Sequence, residues 1–149
     1  MEGQQNQLRA NIIVIDDNAS MRALVCRMLQ RMDLGKVVDH GDAATAIKFM
    51  QNSPGQIDMI ICDWEMPEMS GLDFLKLVRT KLPKMPFLML TGRADLASVK
   101  AAAAAGVSGY IVKPVSPQDL KAKVTFLLRS RLNERASAVE EPPGRVDSL

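Results

Sequence analysis

Four short apolar runs in this chain each end on a residue that phosphoryl chemistry can use. Ile12-Ile13-Val14-Ile15 runs into Asp16-Asp17, and Met59-Ile60-Ile61-Cys62 into Asp63. Phe87-Leu88-Met89-Leu90 runs into Thr91, and Tyr110-Ile111-Val112 into Lys113-Pro114. In a parallel sheet every strand ends at the same edge, and open α/β sheets bind ligands at that edge, so these side chains are expected to converge. Three carboxylates, a hydroxyl and an ammonium gathered there suit a divalent cation and a phosphoryl group.

The elements needed to position them follow from the pattern of the chain. The four branched residues of the first run lack alternation, as in a strand covered by helices on both faces. Met21, Leu24, Val25, Met28, Leu29 and Met32 then recur at helical spacing, with Gly35 as the expected helix stop. Lys36-Val37-Val38-Asp39 reads as a short strand whose polar ends suit a sheet edge. Asp42 is placed to cap a second helix with Ala46, Ile47 and Met50 on its inner face, broken at Asn52-Ser53-Pro54-Gly55. After the third strand, the loop Trp64 to Gly71 leads into a helix carrying Leu72, Leu75, Val78 and Leu82. A fourth helix is expected from about Ala94 to Ala105; its five consecutive alanines favour helix but offer little packing, so it should be loosely held. Ser116-Pro117-Gln118-Asp119 is a helix start, followed by an inner stripe of Leu120, Val124, Leu127, Leu128 and Leu132.

Five strands alternating with five helices imply an α/β fold with a parallel sheet, helices on both faces and right-handed crossovers. The two wholly apolar strands, the first and third, should be neighbours at its centre. A chain of 149 residues is expected to form one domain that buries roughly two thirds of its unfolded surface. The expected division is a flexible segment 1–8, a domain 9–132 and a flexible tail 133–149 around Glu140-Glu141-Pro142-Pro143-Gly144. A net charge of +2 gives no ground for nucleic-acid binding. The two cysteines lack metal-like spacing and are expected to be buried free thiols in a reducing compartment. No run approaches the ~18 apolar residues of a membrane span, and the N-terminus has no apolar signal region, so a cytoplasmic location without membrane insertion is expected.

With all four strand ends in place, the chain resembles the receiver domains of two-component response regulators, the CheY-like family. The matching segments are Val14-Ile15-Asp16-Asp17-Asn18, Cys62 to Gly71, Leu90-Thr91-Gly92 and Val112-Lys113-Pro114, within residues 9–132. The resemblance implies the flavodoxin-like strand order 2-1-3-4-5. It implies that Asp63 accepts a phosphoryl group from a sensor histidine kinase or a histidine phosphotransfer protein. Asp16, Asp17 and Asp63, with the backbone carbonyl of Glu65, would hold Mg²⁺. Lys113 and Thr91 would meet the phosphoryl oxygens, and the Lys113-Pro114 bond would be cis. Thr91 and Tyr110 would act as the switch, reshaping the face of helix four, strand five and helix five for a downstream protein. Lys100, Lys121, Arg129 and Tyr110 are expected on or near that face, which would suit an acidic partner. Glu65 and Arg93 carry opposite charges at positions two past Asp63 and Thr91. They are expected to pair across the pocket mouth and slow attack of water on the phosphoryl group.

The implied protein is a stand-alone regulator that catalyses its own phosphorylation and slow dephosphorylation. The alternative is a degenerate receiver that binds partners without phosphorylation, against which the full set of Asp16, Asp17, Asp63, Thr91 and Lys113 argues. An aspartyl phosphatase usually carries a second aspartate where Glu65 stands. A flavin site would need an anion-binding turn where Asp16-Asp17 would repel one. His40 and the loop methionines Met66 and Met69 read as structural.

Overall fold

A computed structural model of the chain describes residues 9–137. The strands are β1 (Ala10–Ile15), β2 (Gly35–His40), β3 (Met59–Asp63), β4 (Phe87–Thr91) and β5 (Gly109–Val112). They alternate with α1 (Ala19–Arg31), α2 (Ala43–Asn52), α3 (Gly71–Lys81), α4 (Leu96–Ala104) and α5 (Pro117–Ser137). The strands form one parallel sheet in the order β2-β1-β3-β4-β5, the order the resemblance implies.

Side chains alternate across the sheet and build two apolar layers. On one face Ile13, Ile15, Ile60, Cys62, Phe87 and Met89 pack under α2, α3 and the single buried alanine of α4, Ala102. On the other face Ile12, Val14, Met59, Ile61, Leu88 and Leu90 pack under Val25 and Leu29 of α1 and Leu120, Val124 and Leu128 of α5. This two-sided burial explains the unbroken apolar runs of β1, β3 and β4, whereas β2, at the sheet edge, is only partly covered. Every helix starts on a side-chain cap. Asn18, Asp42, Ser70, Asp95 and Ser116 each accept the backbone N–H three residues on.

Several sequence expectations shift. Helix α1 stops at Arg31, and Asp33, with φ of 51°, makes the left-handed turn expected of Gly35. Gly35 instead opens β2, where an added Cβ would lie 1.9 Å from the Ala10 carbonyl oxygen. Leu24 is 39% exposed, because the buried stripe of α1 is centred on Val25 and Leu29 and leaves its neighbour on the rim. Helix α3 turns Phe74, Leu75 and Val78 inward, so its stripe includes Phe74 and leaves Leu72 half-buried. Helix α4 begins at Leu96 because Asp95 caps it. Helix α5 continues to Ser137, past the thinning of its apolar pattern. The expected flexible segment 1–8 and the tail beyond residue 137 lie outside the described residues. Both cysteines are free thiols, Cys62 buried and Cys26 half-buried. No helix of the described residues is long and apolar enough to cross a membrane.

Phe74 and Phe87 join α3 to the centre of the sheet, both fully buried with ring centroids 5.9 Å apart. Phe74→Ala is expected to lower the free energy of unfolding by about 3–5 kcal/mol, the usual cost of an aromatic cavity, measurable by denaturant titration.

Candidate functional site

Strand register brings the four strand-end motifs to one place. Ile15 pairs with Cys62, so Asp16 follows alongside Asp63. Asp63 pairs with Leu90 and Thr91 pairs with Val112, so Lys113 follows beside Thr91. The ladder continues past the strand ends: Trp64 N–H donates to the Leu90 carbonyl at 2.9 Å and Lys113 N–H to the Thr91 carbonyl at 2.8 Å. Neighbouring strands are about 4.8 Å apart, so β5 lies about 10 Å from β3. Only a long side chain bridges that gap, and Lys113 Nζ does, lying 3.0 Å from Asp63 Oδ1 and 3.9 Å from Asp16 Oδ2. The Lys113–Pro114 peptide bond is cis, as the resemblance implies.

Asp16, Asp17 and Asp63 each bring a carboxylate oxygen within 4.8 Å of the others. Asp16 and Asp63 are buried and Asp17 is exposed, so the cluster opens to solvent on one side. Burial raises the pKa of Asp63 above its ordinary value, opposed chiefly by Lys113. Burial also raises Asp16, reinforced by the Asp63 charge and opposed by the Asn18 N–H, which donates to Asp16 Oδ1 at 2.9 Å. Asp16 Oδ2 has no hydrogen-bond partner among the described residues, and Asp63 Oδ1 meets only the Lys113 ammonium. Hard oxygen donors of like charge, two of them buried and under-bonded, fit a small divalent cation such as Mg²⁺.

Beside this cluster, Thr91 is fully buried and its hydroxyl oxygen accepts the Arg93 N–H at 3.0 Å. Tyr110 donates its hydroxyl to the Arg93 carbonyl at 2.6 Å and sets its ring edge-on to Trp64. The Arg93 guanidinium lies 5.1 Å from the centre of the Trp64 ring and forms an ion pair with Glu65. The expected pairing of Glu65 with Arg93 is therefore present, between two exposed side chains. Met66 and Met69 pack against the core, and the His40 ring packs on Phe49.

Three features escaped the sequence reading. Asn18 both caps α1 and binds Asp16 through its N–H; its place directly after the acidic pair was the available signal. Gly71 presses the first residue of α3 onto the end of β3, donating to the Trp64 carbonyl at 2.8 Å; a Cβ there would lie 2.3 Å from the Asp63 carbonyl oxygen. Arg22 donates to the Asp16 carbonyl at 2.6 Å, and no sequence signal marks that contact.

The raised Asp16 pKa has a definite sign. The folded state holds the ionised form less well than the unfolded state, so above the raised value Asp16 opposes folding, and acidification through that value relieves the cost. Asp16→Asn is expected to raise the thermal unfolding midpoint of the metal-free protein near neutral pH, and to lose that advantage in mild acid; thermal melts in chelator at the two pH values test this.

Comparison with known proteins agrees with this geometry. The family model described as response regulator receiver domain matches residues 12–125. The chain is 36% identical over 115 residues to the chemotaxis protein CheY of Pseudomonas aeruginosa, covering 76% of this chain and 91% of that protein. It is 38% identical over 121 residues to the chemotaxis protein CheY1 of Helicobacter pylori, covering 78% of this chain and 95% of that one. Among solved structures, a response regulator receiver domain protein of Clostridium thermocellum matches with a TM-score of 0.76 at 29% identity, covering 82% of this chain and 96% of that chain. The Vibrio cholerae chemotaxis protein CheY4 matches with a TM-score of 0.73 at 30% identity, covering 80% and 98%. With the family matched across both the sheet and its acidic edge, the chain belongs to the response regulator receiver domains.

Proposed function

We propose that this chain is the phosphoacceptor of a two-component phosphorelay, taking a phosphoryl group on Asp63 from a phosphohistidine of a sensor kinase or phosphotransfer protein. The observation that carries this reading is the buried Asp63 carboxylate, clustered with Asp16 and Asp17 and with the Lys113 ammonium 3.0 Å away. An ionised Asp63 oxygen attacks phosphorus and the new O–P bond forms as the donor N–P bond breaks, leaving the electron pair on the imidazole nitrogen. Asp16, Asp17 and Asp63, with the Glu65 carbonyl, would hold Mg²⁺, which when bound neutralises charge on the phosphoryl oxygens. Lys113 offers a compact positive charge to the same oxygens. Thr91 accepts through its oxygen from Arg93, and its own O–H would turn to donate to a phosphoryl oxygen.

The acyl phosphate would carry about two negative charges where the Asp63 carboxylate carried one, and would draw the Thr91 hydroxyl and the Lys113 ammonium towards it. Movement of Thr91 reaches Arg93 through one hydrogen bond and Tyr110 through the next. The output surface is then the face of α4, β5 and α5. It presents the exposed apolar side chains Leu96, Val99, Val112 and Phe126, with Lys100, Lys121 and Arg129 also exposed. That composition suits a protein partner with an apolar ridge and acidic flanks. The site of action is the cytoplasm, where such kinases present their phosphohistidine.

Trp64 adjoins Asp63 and touches both Arg93 and Tyr110, so its fluorescence reports on the site. A saturable Mg²⁺ response, followed by a second change on adding a small acyl phosphate or beryllofluoride and lost in Asp63→Asn, is the expected result. Absence of both responses, with no phosphorylation by mass, would favour a binding module that works unmodified. Because burial raises the pKa of Asp16 and Asp63, protons compete with Mg²⁺ above the ordinary carboxylate range. Mg²⁺ affinity and the rate of phosphorylation are expected to fall together as pH drops through those raised values, measurable by the same titration.

The Glu65–Arg93 pair would sit across the pocket mouth and slow attack of water on the acyl phosphate. Both partners are substantially exposed, so the pair contributes little to stability. Arg93→Ala is expected to shorten the lifetime of phospho-Asp63 severalfold while leaving the unfolding midpoint nearly unchanged; an unaltered decay of labelled phosphoprotein would refute it.

A further inference from the structure

Arg22, in the first turns of α1, takes no part in the chemistry above, yet its guanidinium makes two directed contacts. Nη1 donates to the Asp16 backbone carbonyl at 2.6 Å and Nε donates to Asp39 Oδ2 at 2.8 Å. Asp39 belongs to β2 and Asp16 follows β1, so the side chain ties the acidic turn to the neighbouring strand. Two more bonds converge on the same residue: Asp16 N–H donates to the His40 carbonyl at 3.2 Å, and Asn18 N–H donates to Asp16 Oδ1 at 2.9 Å. Both peptide groups flanking Asp16 and one of its carboxylate oxygens are thereby fixed. Gly41 leaves room for the fork, since a Cβ there would lie 3.3 Å from Nη1. The Arg22 side chain is only 22% exposed, so these contacts are screened less than those of a free surface pair.

We propose that Arg22 is a positioning residue that holds the Asp16-Asp17 turn ready for a divalent cation while the carboxylates repel one another. The inference rests on the cation site proposed above. Before a cation arrives, mutual repulsion drives the turn away from β3, and the Arg22 fork, with its anchor on Asp39, resists that displacement. Binding then does not have to order the turn, which raises affinity by preorganisation. A lysine cannot substitute, because a point charge lacks the rigid two-pronged geometry. The competing effect, repulsion between guanidinium and cation, has the opposite sign, so the direction of the change separates the two.

The test is Mg²⁺ titration of wild type, Arg22→Ala, Arg22→Lys and Asp39→Asn, followed by Trp64 fluorescence and calorimetry, with melts in chelator and in saturating Mg²⁺. Arg22→Ala and Arg22→Lys are both expected to weaken Mg²⁺ binding roughly tenfold, the size of one lost charged hydrogen bond. Asp39→Asn, which leaves the acidic turn itself intact, should weaken binding in the same direction, and a double variant combining Arg22→Ala with Asp39→Asn should be no worse than Arg22→Ala alone. A merely structural role would lower the melting point equally in chelator and in Mg²⁺; the positioning role also shrinks the upward shift that Mg²⁺ produces. Unchanged or tighter binding in Arg22→Ala, or wild-type binding in Arg22→Lys, would overturn the inference. A wild-type chain without a saturable Mg²⁺ response would instead overturn the cation site, and the role of Arg22 with it.

Discussion

Two buried carboxylates, Asp16 and Asp63, stand side by side at the ends of the central strands, and their ionised forms repel in surroundings that screen poorly. The repulsion is a consequence of the fold. Parallel pairing of β1 with β3 places Ile15 beside Cys62, and the next residue of each strand is then an aspartate. Strand ends so closely matched cannot separate their charges without breaking the ladder between them. Much of the remaining site serves to hold this arrangement.

The compensation is distributed. Lys113 reaches across β4 to Asp63, and Asn18 gives a backbone N–H to Asp16. The N-terminus of α1, immediately after the acidic pair, adds the positive end of the helix dipole. Arg22 and the His40 carbonyl fix the peptide groups on either side of Asp16. None of these contacts fully satisfies Asp16 Oδ2 or Asp63 Oδ1. Residual under-bonding of this kind weakens the resting protein and is a local conflict typical of functional sites.

The opposite side of the site is less firmly anchored. Helix α4 buries only Ser98 and Ala102, whereas α5 buries three large side chains and α3 buries Phe74, Leu75 and Val78. A helix with so few buried apolar contacts belongs to the least anchored part of a fold. At its entrance, Arg93 gathers Thr91, Tyr110, Trp64 and Glu65 around one exposed residue. A change at Thr91 therefore has a short physical route to the surface of α4 and β5.

The apolar runs of β1, β3 and β4 were legible because burial on both faces removes polar residues, and the caps Asp42 and Ser116 were legible because their bonds are local. The acidic pair, Asp63, Thr91 and Lys113 could be read as one site, since each directly follows or ends such a run and parallel strands end together. Phe74 was missed in α3, and Leu24 was misplaced in α1, because helical spacing alone leaves the centre of a stripe uncertain by one position; packing against the sheet decided it. Asp33, not Gly35, makes the left-handed turn after α1, and Gly35 is needed instead where the β1 backbone at Ala10 approaches too closely for a side chain. Residue types and spacing determined the order of elements and which groups meet at the sheet edge. Only the tertiary structure decided how Arg22, Gly71 and Trp64 support that edge, because their partners lie on other elements and no local pattern encodes a contact made across the fold.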